Sequence, residues 1–398
     1  MTLRLIDRLS PLLVAGWIVT TTSTSLAAPP ANPIKTVLDA HPNKFSRAVE
    51  NAKELRIQVL LSEVVQEKGR PVLKRSSYRL GTEYIYPASA LKPAAAVAAF
   101  QWLNKMNKKH GSWIDRNTRF KLIPAKGAGR VRYGLSVSKE VRKLLIVSDN
   151  NSYNRLYSLV GQENLNKMMW GAGLTNIRLS HWLGRTRTPE ENRQTPAVEL
   201  RSGANKVRLP EHTSSLTLTI RGISGLAIGS AYILDGEPID EPMDFRDKSR
   251  MGVQDLQDML IMIVRPDIDL DMPGFDLTKA QRKFLIRALR QLPHESTDPI
   301  WPIERYDPHR FKPFLKGLER IGSGTRFQVT SKAGRAYGFR IDNAYIKDKR
   351  TGRSFFLTAS IYTNRNRVLN DNKYEYRFGD RFMVNLAEKL TRHLLKKR

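Results

Sequence analysis

Ser89 and Lys92 form the pattern S-x-x-K, whose residue types and spacing could support acyl transfer at a serine. They stand at the start of an apolar, alanine-rich segment that is predicted to be a buried helix. A spacing of three places the lysine one turn after the serine, on the same helix face. Loss of hydration lowers the pKa of a lysine in apolar surroundings, so that it can accept the serine proton. The helix N-terminus would add backbone N–H groups for a developing oxyanion.

Two further groups could complete such a site. Ser148 and Asn150 belong to an S-D-N sequence at a predicted helix end, where the hydroxyl can relay a proton to a leaving nitrogen and the amide can hold a substrate carbonyl. Lys332 and Gly334, in K-A-G on a predicted strand, would supply a positive charge and a close approach to that strand. Taken singly, S-D-N is better explained by a capping turn, and K-A-G by an ordinary edge strand.

Two similar patterns are interpreted as irrelevant to this chemistry. Ser136 and Lys139 repeat S-x-x-K in a polar stretch that is predicted to be exposed. Arg350 and Gly352 form R-T-G, a variant of K-x-G, but this sequence fits a hairpin turn and would leave one strand before the last helix.

Strands are predicted at both ends of the chain, with helices between them. The predicted strands are 54–65, 72–80, 327–332, 336–346 and 354–363. The predicted helices are 87–102, 138–148, 153–170, 253–264, 277–292 and 379–395, whereas 192–209 has a loop-like composition and 216–234 is mixed. The pattern predicts an α+β fold, in which an antiparallel sheet is built from both termini around a helical middle subdomain.

The three motifs together resemble the S-x-x-K, S-D-N and K-T-G set of class A β-lactamases and penicillin-binding proteins. Their order, the spacing between Ser89 and Ser148, and the phrases YPASALKP and LLIVSDNNSYN are all similar to that family. The resemblance covers residues 45–180 and 320–396. It implies a β-lactamase/transpeptidase-like fold and a serine hydrolase that uses no cofactor or metal.

The resemblance also implies a role for each matching residue. Ser89 would be the acylated nucleophile and Lys92 its general base, while Ser148 and Asn150 would relay the proton and hold the substrate. Lys332 would face the substrate carboxylate. The substrate side of the site would further include Gly334 and the backbone N–H groups of Ser89 and Arg335, as an oxyanion hole.

Three departures from the family pattern stand out. The segment between S-D-N and K-x-G is unusually long, which predicts an insertion at about 197–320. Ala333 replaces a threonine or serine that helps to bind the carboxylate. Where family members commonly carry R-W-E with a deacylating glutamate, this chain has H-W-L, ending at Leu183.

Glu190 and Glu191 are the nearest acidic candidates for the missing deacylation base. Neither is followed four residues later by the asparagine that the family pattern requires. They could instead pair with Arg187 or Arg193.

Composition excludes several other chemistries. The chain contains no cysteine, which rules out disulfides, thiol catalysis and zinc–thiolate sites. Its seven histidines are scattered without metal-binding spacing. The formal charge of +29 attracts polyanions, but no nucleic-acid-binding motif is present. Anionic cell-wall polymers or a membrane surface are the expected macromolecular partners, and a basic surface without any specific partner is the alternative.

The first 27 residues have the pattern of a signal peptide, with a basic start, a short apolar core and small residues before Ala27. This pattern predicts export to the periplasm or medium after cleavage near Ala27, with an uncleaved tether as the alternative. Residues 28–45 are expected to be a linker, and 46–398 a catalytic domain.

Three function classes remain open at this stage. One is a β-lactamase-like hydrolase acting on β-lactams or related amides and esters. The second is a D-alanyl-D-alanine peptidase, an esterase or a slow-turnover penicillin-binding protein acting on wall peptides. The third is a non-catalytic, basic wall-binding protein.

Overall fold

The helices and strands follow the sequence patterns most closely at the two ends of the chain. The computed structural model describes residues 32–124, 132–323 and 325–396. The strands are β1 Gln58–Glu67, β2 Arg70–Tyr78, β3 Arg119–Ile123, β4 Arg132–Ser136, β5 Gln194–Thr195, β6 Ala197–Ser202, β7 Asn205–Leu209, β8 His212–Thr213, β9 Ala227–Ile228, β10 Ala231–Leu234, β11 Glu237–Ile239, β12 Met243–Asp244, β13 Phe327–Ser331, β14 Gly334–Ala336, β15 Phe339–Asp348, β16 Ser354–Tyr362 and β17 Val368–Leu369. The helices are α1 Pro33–Asp39, α2 Pro42–Glu50, α3 Lys92–His110, α4 Val137–Ile146, α5 Asn150–Val160, α6 Gln162–Gly171, α7 Pro189–Arg193, α8 Val253–Val264, α9 Lys279–Arg290, α10 Pro308–Phe311, α11 Pro313–Glu319 and α12 Tyr376–Lys396, with 3₁₀ turns at Ala88–Leu91 and Pro293–Glu295.

The main sheet draws its strands from both ends of the chain. Its order is β13-β15-β16-β1-β2, with β14 paired to β15 beside β13, and all pairs are antiparallel. The two ends meet where β1 pairs with β16, in a register that sets Gln58 opposite Ser360. The predicted α+β class, with a sheet closed by the termini, is therefore confirmed.

Two hydrophobic cores lie on the opposite faces of this sheet. Strand β1 shows the division, because Val59 and Leu61 belong to one core and Leu60 belongs to the other. Side chains alternate between the faces of a strand, so a strand buried on both sides is apolar throughout. One core includes α12 and α11, and the other includes α3, α5 and α8.

Residues 33–45, which were expected to belong to a linker, instead form α1 and the start of α2. Their prolines, Pro33 and Pro42, are the first residues of these helices, where a missing N–H costs nothing. Ile34, Leu38 and Phe45 are buried in the core that contains α12. The linker prediction is therefore wrong for residues 33–45, because a proline at the start of a helix has the same local pattern as a proline in a linker.

Three other element predictions need correction. Residues 194–209, expected to be a loop, contain β5, β6 and β7, since β6 pairs with β3 in a separate small sheet. The helix predicted over 153–170 is divided at Gly161, whose φ is 83°. The strand predicted over 336–346 is divided into β14 and β15 by a tight turn.

The predicted insertion, 197–320, contains β6 to β12 and α8 to α11. Helix α8 is not peripheral, since it packs on β1, β15 and β16 of the main sheet. Part of this segment is therefore integral to the fold. None of the helices in the described residues is long and apolar enough to cross a membrane, and the predicted signal peptide lies outside those residues.

Candidate active site

Ser89 lies in a 3₁₀ turn that leads directly into α3. The turn spans Ala88–Leu91, and Ala88 before the serine has a φ of 47°, a left-handed conformation that costs energy for a non-glycine residue. Lys92, the first residue of α3, is fully buried, whereas Ser89 is half-buried. The predicted buried helix is confirmed, although it begins at Lys92 and continues to His110.

The S-D-N residues lie across from Lys92, between α4 and α5. Asp149 caps α5, because its carboxylate accepts a hydrogen bond from the backbone N–H of Ser152 at 2.6 Å. The ammonium of Lys92 donates to Ser148 Oγ at 3.1 Å, to Asn150 Oδ1 at 2.7 Å and to the Ser148 carbonyl. S-D-N is therefore both a helix-capping turn and part of the candidate site, because the same turn orients Ser148 and Asn150 toward Lys92.

Lys332 reaches the same serine from the edge of the main sheet. It lies between β13 and β14, and its Nζ donates to Ser148 Oγ at 2.9 Å and to the Ala333 carbonyl at 2.9 Å. Ser148 Oγ is thus shared between two lysine side chains that come from opposite ends of the chain. The structure brings the three predicted motifs together.

Gly334 allows β14 to lie directly against the Ser89 turn. A Cβ atom at this position would lie 2.6 Å from the Pro87 carbonyl oxygen, 2.9 Å from Ala90 N and 3.1 Å from Ser89 N. Contacts this short with backbone atoms cannot be relieved by rotating a side chain. The close approach of the Ser89 turn therefore requires a glycine at position 334. The same approach places β14, which includes Arg335, against this turn.

Burial controls the charge of both lysines. It lowers the pKa of Lys92 to about 7, while the carboxylate of Asp149 opposes the shift. Burial, together with the positive charges of Lys92 and Lys312, also lowers the pKa of Lys332 well below its usual range. Burial therefore shifts both lysines toward the neutral amine form.

Lys312 and Asp342 form a buried support behind Lys332 that sequence reasoning missed. Lys312 Nζ donates to the carbonyls of Leu289 and Ser331, the second of these at 3.5 Å. Burial raises the pKa of Asp342 to about 6, and the backbone N–H of Phe314 donates to its carboxylate at 3.0 Å. The available signal was an aspartate inside the apolar strand sequence FRIDNAYI.

The loop with Leu183 lies beside Asn150. Leu183 is 5% exposed, and both its N–H and its carbonyl are hydrogen-bonded to the side chain of Asn154, at 2.8 and 3.1 Å. A Cβ atom on the next residue, Gly184, would lie 2.6 Å from Asn150 Nδ2. Gly184 therefore lies against the S-D-N motif, and Leu183, the residue before it, is held in place by Asn154.

Glu190 and Glu191 are not brought to the serine. Both are exposed on α7. Glu191 accepts a hydrogen bond from the N–H of Thr188 at 2.9 Å and lies 4.0 Å from the Arg187 guanidinium. These contacts agree with the non-catalytic interpretation of Glu191, in which its carboxylate caps α7 and pairs with Arg187.

The rate of acylation should rise with pH around neutrality. A general base at Lys92, the role that the family resemblance implies, must be neutral to take the proton of Ser89. With the pKa of Lys92 at about 7, its neutral fraction grows from about 10% at pH 6 to about 90% at pH 8. The measurement is the rate of Ser89 acylation by a neutral activated ester, because the protonation of Lys332 does not help to bind an uncharged substrate. A flat profile between pH 6 and 8 would exclude Lys92 as the base.

A half-buried serine, two buried lysines and an S-D-N turn therefore lie together, an arrangement typical of serine hydrolases of the β-lactamase type. Residues 74–206, which include Ser89, Ser148 and Leu183, match the model of the beta-lactamase enzyme family. No curated protein sequence gives a significant match to this chain.

Solved structures with the same fold include two bacterial β-lactamases. One, from Burkholderia ambifaria, is 15% identical, with a TM-score of 0.51 over 88% of this chain and 99% of that chain. Another, from Xanthomonas campestris pv. campestris, is 17% identical, with a TM-score of 0.50 over 89% of this chain and 97% of that chain. The chain therefore has the β-lactamase/transpeptidase-like fold.

Proposed function

We propose that this protein acts as a class A-type hydrolase that forms an acyl-enzyme at Ser89 with a β-lactam or a related amide or ester. The observation that carries the proposal is the convergence of Lys92 and Lys332 on Ser148 Oγ, at 3.1 and 2.9 Å. This arrangement offers a proton acceptor for the nucleophile and a proton donor for a leaving nitrogen in one buried pocket. Export after cleavage near Ala27 is part of the proposal, on the strength of the N-terminal sequence pattern.

The acylation step assigns one task to each group. Neutral Lys92 takes the proton of Ser89 Oγ as the oxygen attacks the carbonyl carbon. The backbone N–H groups of Ser89 and Arg335 stabilise the oxyanion. When the C–N bond breaks, Ser148 Oγ donates its proton to the nitrogen and is reprotonated by a lysine. Hydrolysis of the ester by water then restores Ser89.

Leu183 favours a second candidate, a slow-turnover penicillin-binding protein or wall-peptide peptidase. A leucine at the loop position where the family pattern has a glutamate cannot activate the water that cleaves the ester. The acylation groups do not depend on this residue, so the two candidates differ in turnover and natural substrate and share the first step.

Intact-protein mass spectrometry with penicillins and D-Ala-D-Ala peptides tests the proposal. A β-lactam opens without a leaving group, so the adduct carries its whole mass, whereas a peptide adduct lacks the released D-alanine. The proposal predicts a covalent adduct that maps to Ser89. If no penicillin or peptide forms an adduct or is hydrolysed, the protein is the non-catalytic alternative.

Lys332→Ala should weaken reaction with carboxylate-bearing substrates far more than with neutral esters. A bound carboxylate raises the pKa of Lys332 and makes a charge-assisted contact worth about 1.5–3 kcal/mol, which corresponds to a loss of about 10- to 150-fold. The measurement is kcat/KM, or the acylation rate constant, for a penicillin and for a neutral ester. Lys347→Ala, at an exposed lysine on β15, is the control. Equal losses for both substrates would show that Lys332 is structural.

A further inference from the structure

The loop between the 3₁₀ turn Pro293–Glu295 and α10 exposes two large apolar side chains. Ile300 is 76% exposed and Ile303 is 51% exposed. Leu234, on β10, is 47% exposed and completes the set of large apolar side chains found exposed in the described residues. Single exposed apolar residues are common on soluble proteins. Two large exposed apolar side chains within four positions of one loop are a stronger indication of a contact surface.

The same loop is held in place by its own contacts. Ser296 Oγ donates to the Pro299 carbonyl at 2.7 Å. Trp301, between the two isoleucines, is 6% exposed, and its ring lies 6.5 Å from that of Tyr306. The loop therefore has an inward-facing aromatic anchor and presents Ile300 and Ile303 outward.

A basic cavity lies directly beside this loop. It has a volume of about 430 Å³ and is lined by Arg116, Asn117, Ser138, Lys139, Arg142, Lys143, Phe284, Asp298 and Pro299. Four of these residues are cationic, and Asp298 is the one carboxylate among them. Lys143 also lies 3.8 Å from Glu140, which is shared with Arg155 at 3.0 Å. The cavity therefore has an excess of positive charge.

Arg142 joins the cavity to the loop. Its guanidinium donates to the Asp298 carbonyl at 3.2 Å, to Gln291 Oε1 at 3.4 Å and to Ser296 Oγ at 2.9 Å. All three acceptors are uncharged, so the positive charge of Arg142 is not neutralised by them. The apolar loop and the cationic cavity thus form one continuous surface on α4 and the 296–303 segment.

We propose that this surface binds an anionic phospholipid membrane, with Ile300 and Ile303 inserted at the level of the headgroups and a lipid phosphate in the cavity. Insertion of apolar side chains supplies burial that a soluble polyanion cannot offer, and lysine and arginine side chains add attraction to anionic headgroups. The formal charge of +29 strengthens this attraction over the whole surface. The proposal is independent of the catalytic function.

Vesicle co-sedimentation tests the proposal on the full chain. The probes are vesicles of equal phosphatidylglycerol and phosphatidylcholine, vesicles of phosphatidylcholine alone, and soluble long-chain polyphosphate as a competitor. Ile300→Ser combined with Ile303→Ser removes the apolar contacts, and Leu234→Ser is the control for an exposed apolar residue elsewhere. Lys139→Gln with Lys143→Gln removes two charges from the cavity. Lys347→Gln with Lys349→Gln removes two charges at exposed lysines at the end of β15 and in the turn after it.

The expected result is binding to the anionic vesicles that falls at least about tenfold in the double isoleucine variant. The cavity variant should lose about fivefold per lysine, while Leu234→Ser binds normally and the Lys347/Lys349 variant loses less. Circular dichroism and the Tm establish that each variant is folded. Absence of binding to anionic vesicles overturns the proposal. The proposal is also overturned if the double isoleucine variant binds anionic vesicles as well as the unaltered protein does. It is overturned as well if the Lys139/Lys143 and Lys347/Lys349 variants lose binding equally. In either case the protein would bind polyanions through its general positive charge.

Discussion

Ser89→Ala is expected to abolish covalent labelling by a fluorescent penicillin. Without Oγ no ester can form, and the remaining lysines and the S-D-N turn cannot replace the nucleophile. Because Ser89 is half-buried and stands in a turn, the substitution should leave the Tm nearly unchanged. The measurement is in-gel fluorescence after incubation with the labelled penicillin, together with thermal unfolding.

Ser136→Ala is the matched control, since Ser136 begins the second S-x-x-K pattern. The structure corrects the expectation that this serine is exposed, because it is 2% exposed at the end of β4. Its Oγ lies 3.3 Å from that of Ser138, and Lys139 of the pattern is exposed on α4. Labelling should therefore survive in this variant. Labelling that persists in Ser89→Ala, or that disappears in Ser136→Ala, would overturn the assignment of the nucleophile.

Turnover of a chromogenic cephalosporin should show a burst, with one equivalent of product formed quickly and a slow steady state thereafter. Lys92 and Lys332 are assembled around Ser148, whereas Leu183 stands where the family pattern has the deacylating glutamate and cannot act as a base. General-base assistance is typically worth about 10²- to 10⁴-fold. Deacylation should be slower than acylation by a factor in this range, which stopped-flow absorbance measures directly.

Two pairs of variants determine whether this interpretation of the loop is correct. Leu183→Glu should raise the slow phase if the new carboxylate reaches the ester, and Leu183→Gln, which has the same size without a base, should not. Glu190→Gln and Glu191→Gln should leave both phases unchanged, because these side chains are exposed on α7. A linear time course at high turnover that either glutamine variant abolishes would identify that glutamate as the deacylation base.

The sequence predicted the features that depend on short-range patterns. The hairpin of β1 and β2, helix α8 and the three motifs follow from periodicity, turn residues and spacing within a few positions. Asp149 shows how such signals combine, since a capping residue recognisable in the sequence also orients Ser148 and Asn150. The spatial convergence of these motifs was inferred from resemblance to a family, because nothing local connects Lys332 to Ser148.

Features that depend on distant partners were not predictable in the same way. Strand β6 has a loop-like composition, and it forms a strand because it pairs with β3, which lies far away in the sequence. Lys312 and Asp342 look like ordinary polar residues until α11 and β15 pack together and bury them. The short helices α1 and α2 are stabilised chiefly by burial against α12, and their own sequences carry more turn signals than helix signals.

The pairing of β1 with β16 has a consequence for how the polypeptide acquires its structure. Gln58 is opposite Ser360, so the centre of the main sheet cannot form until nearly the whole chain is available. Contacts of such wide sequence separation carry a large loop-closure entropy and slow the folding of a domain. The central sheet, and with it the contact between Lys332 and Ser148, must therefore form after synthesis of the chain is almost complete. A nascent chain of this topology can form the local hairpin of β1 and β2, but it lacks the partner that completes the centre of the sheet until β16 has been made.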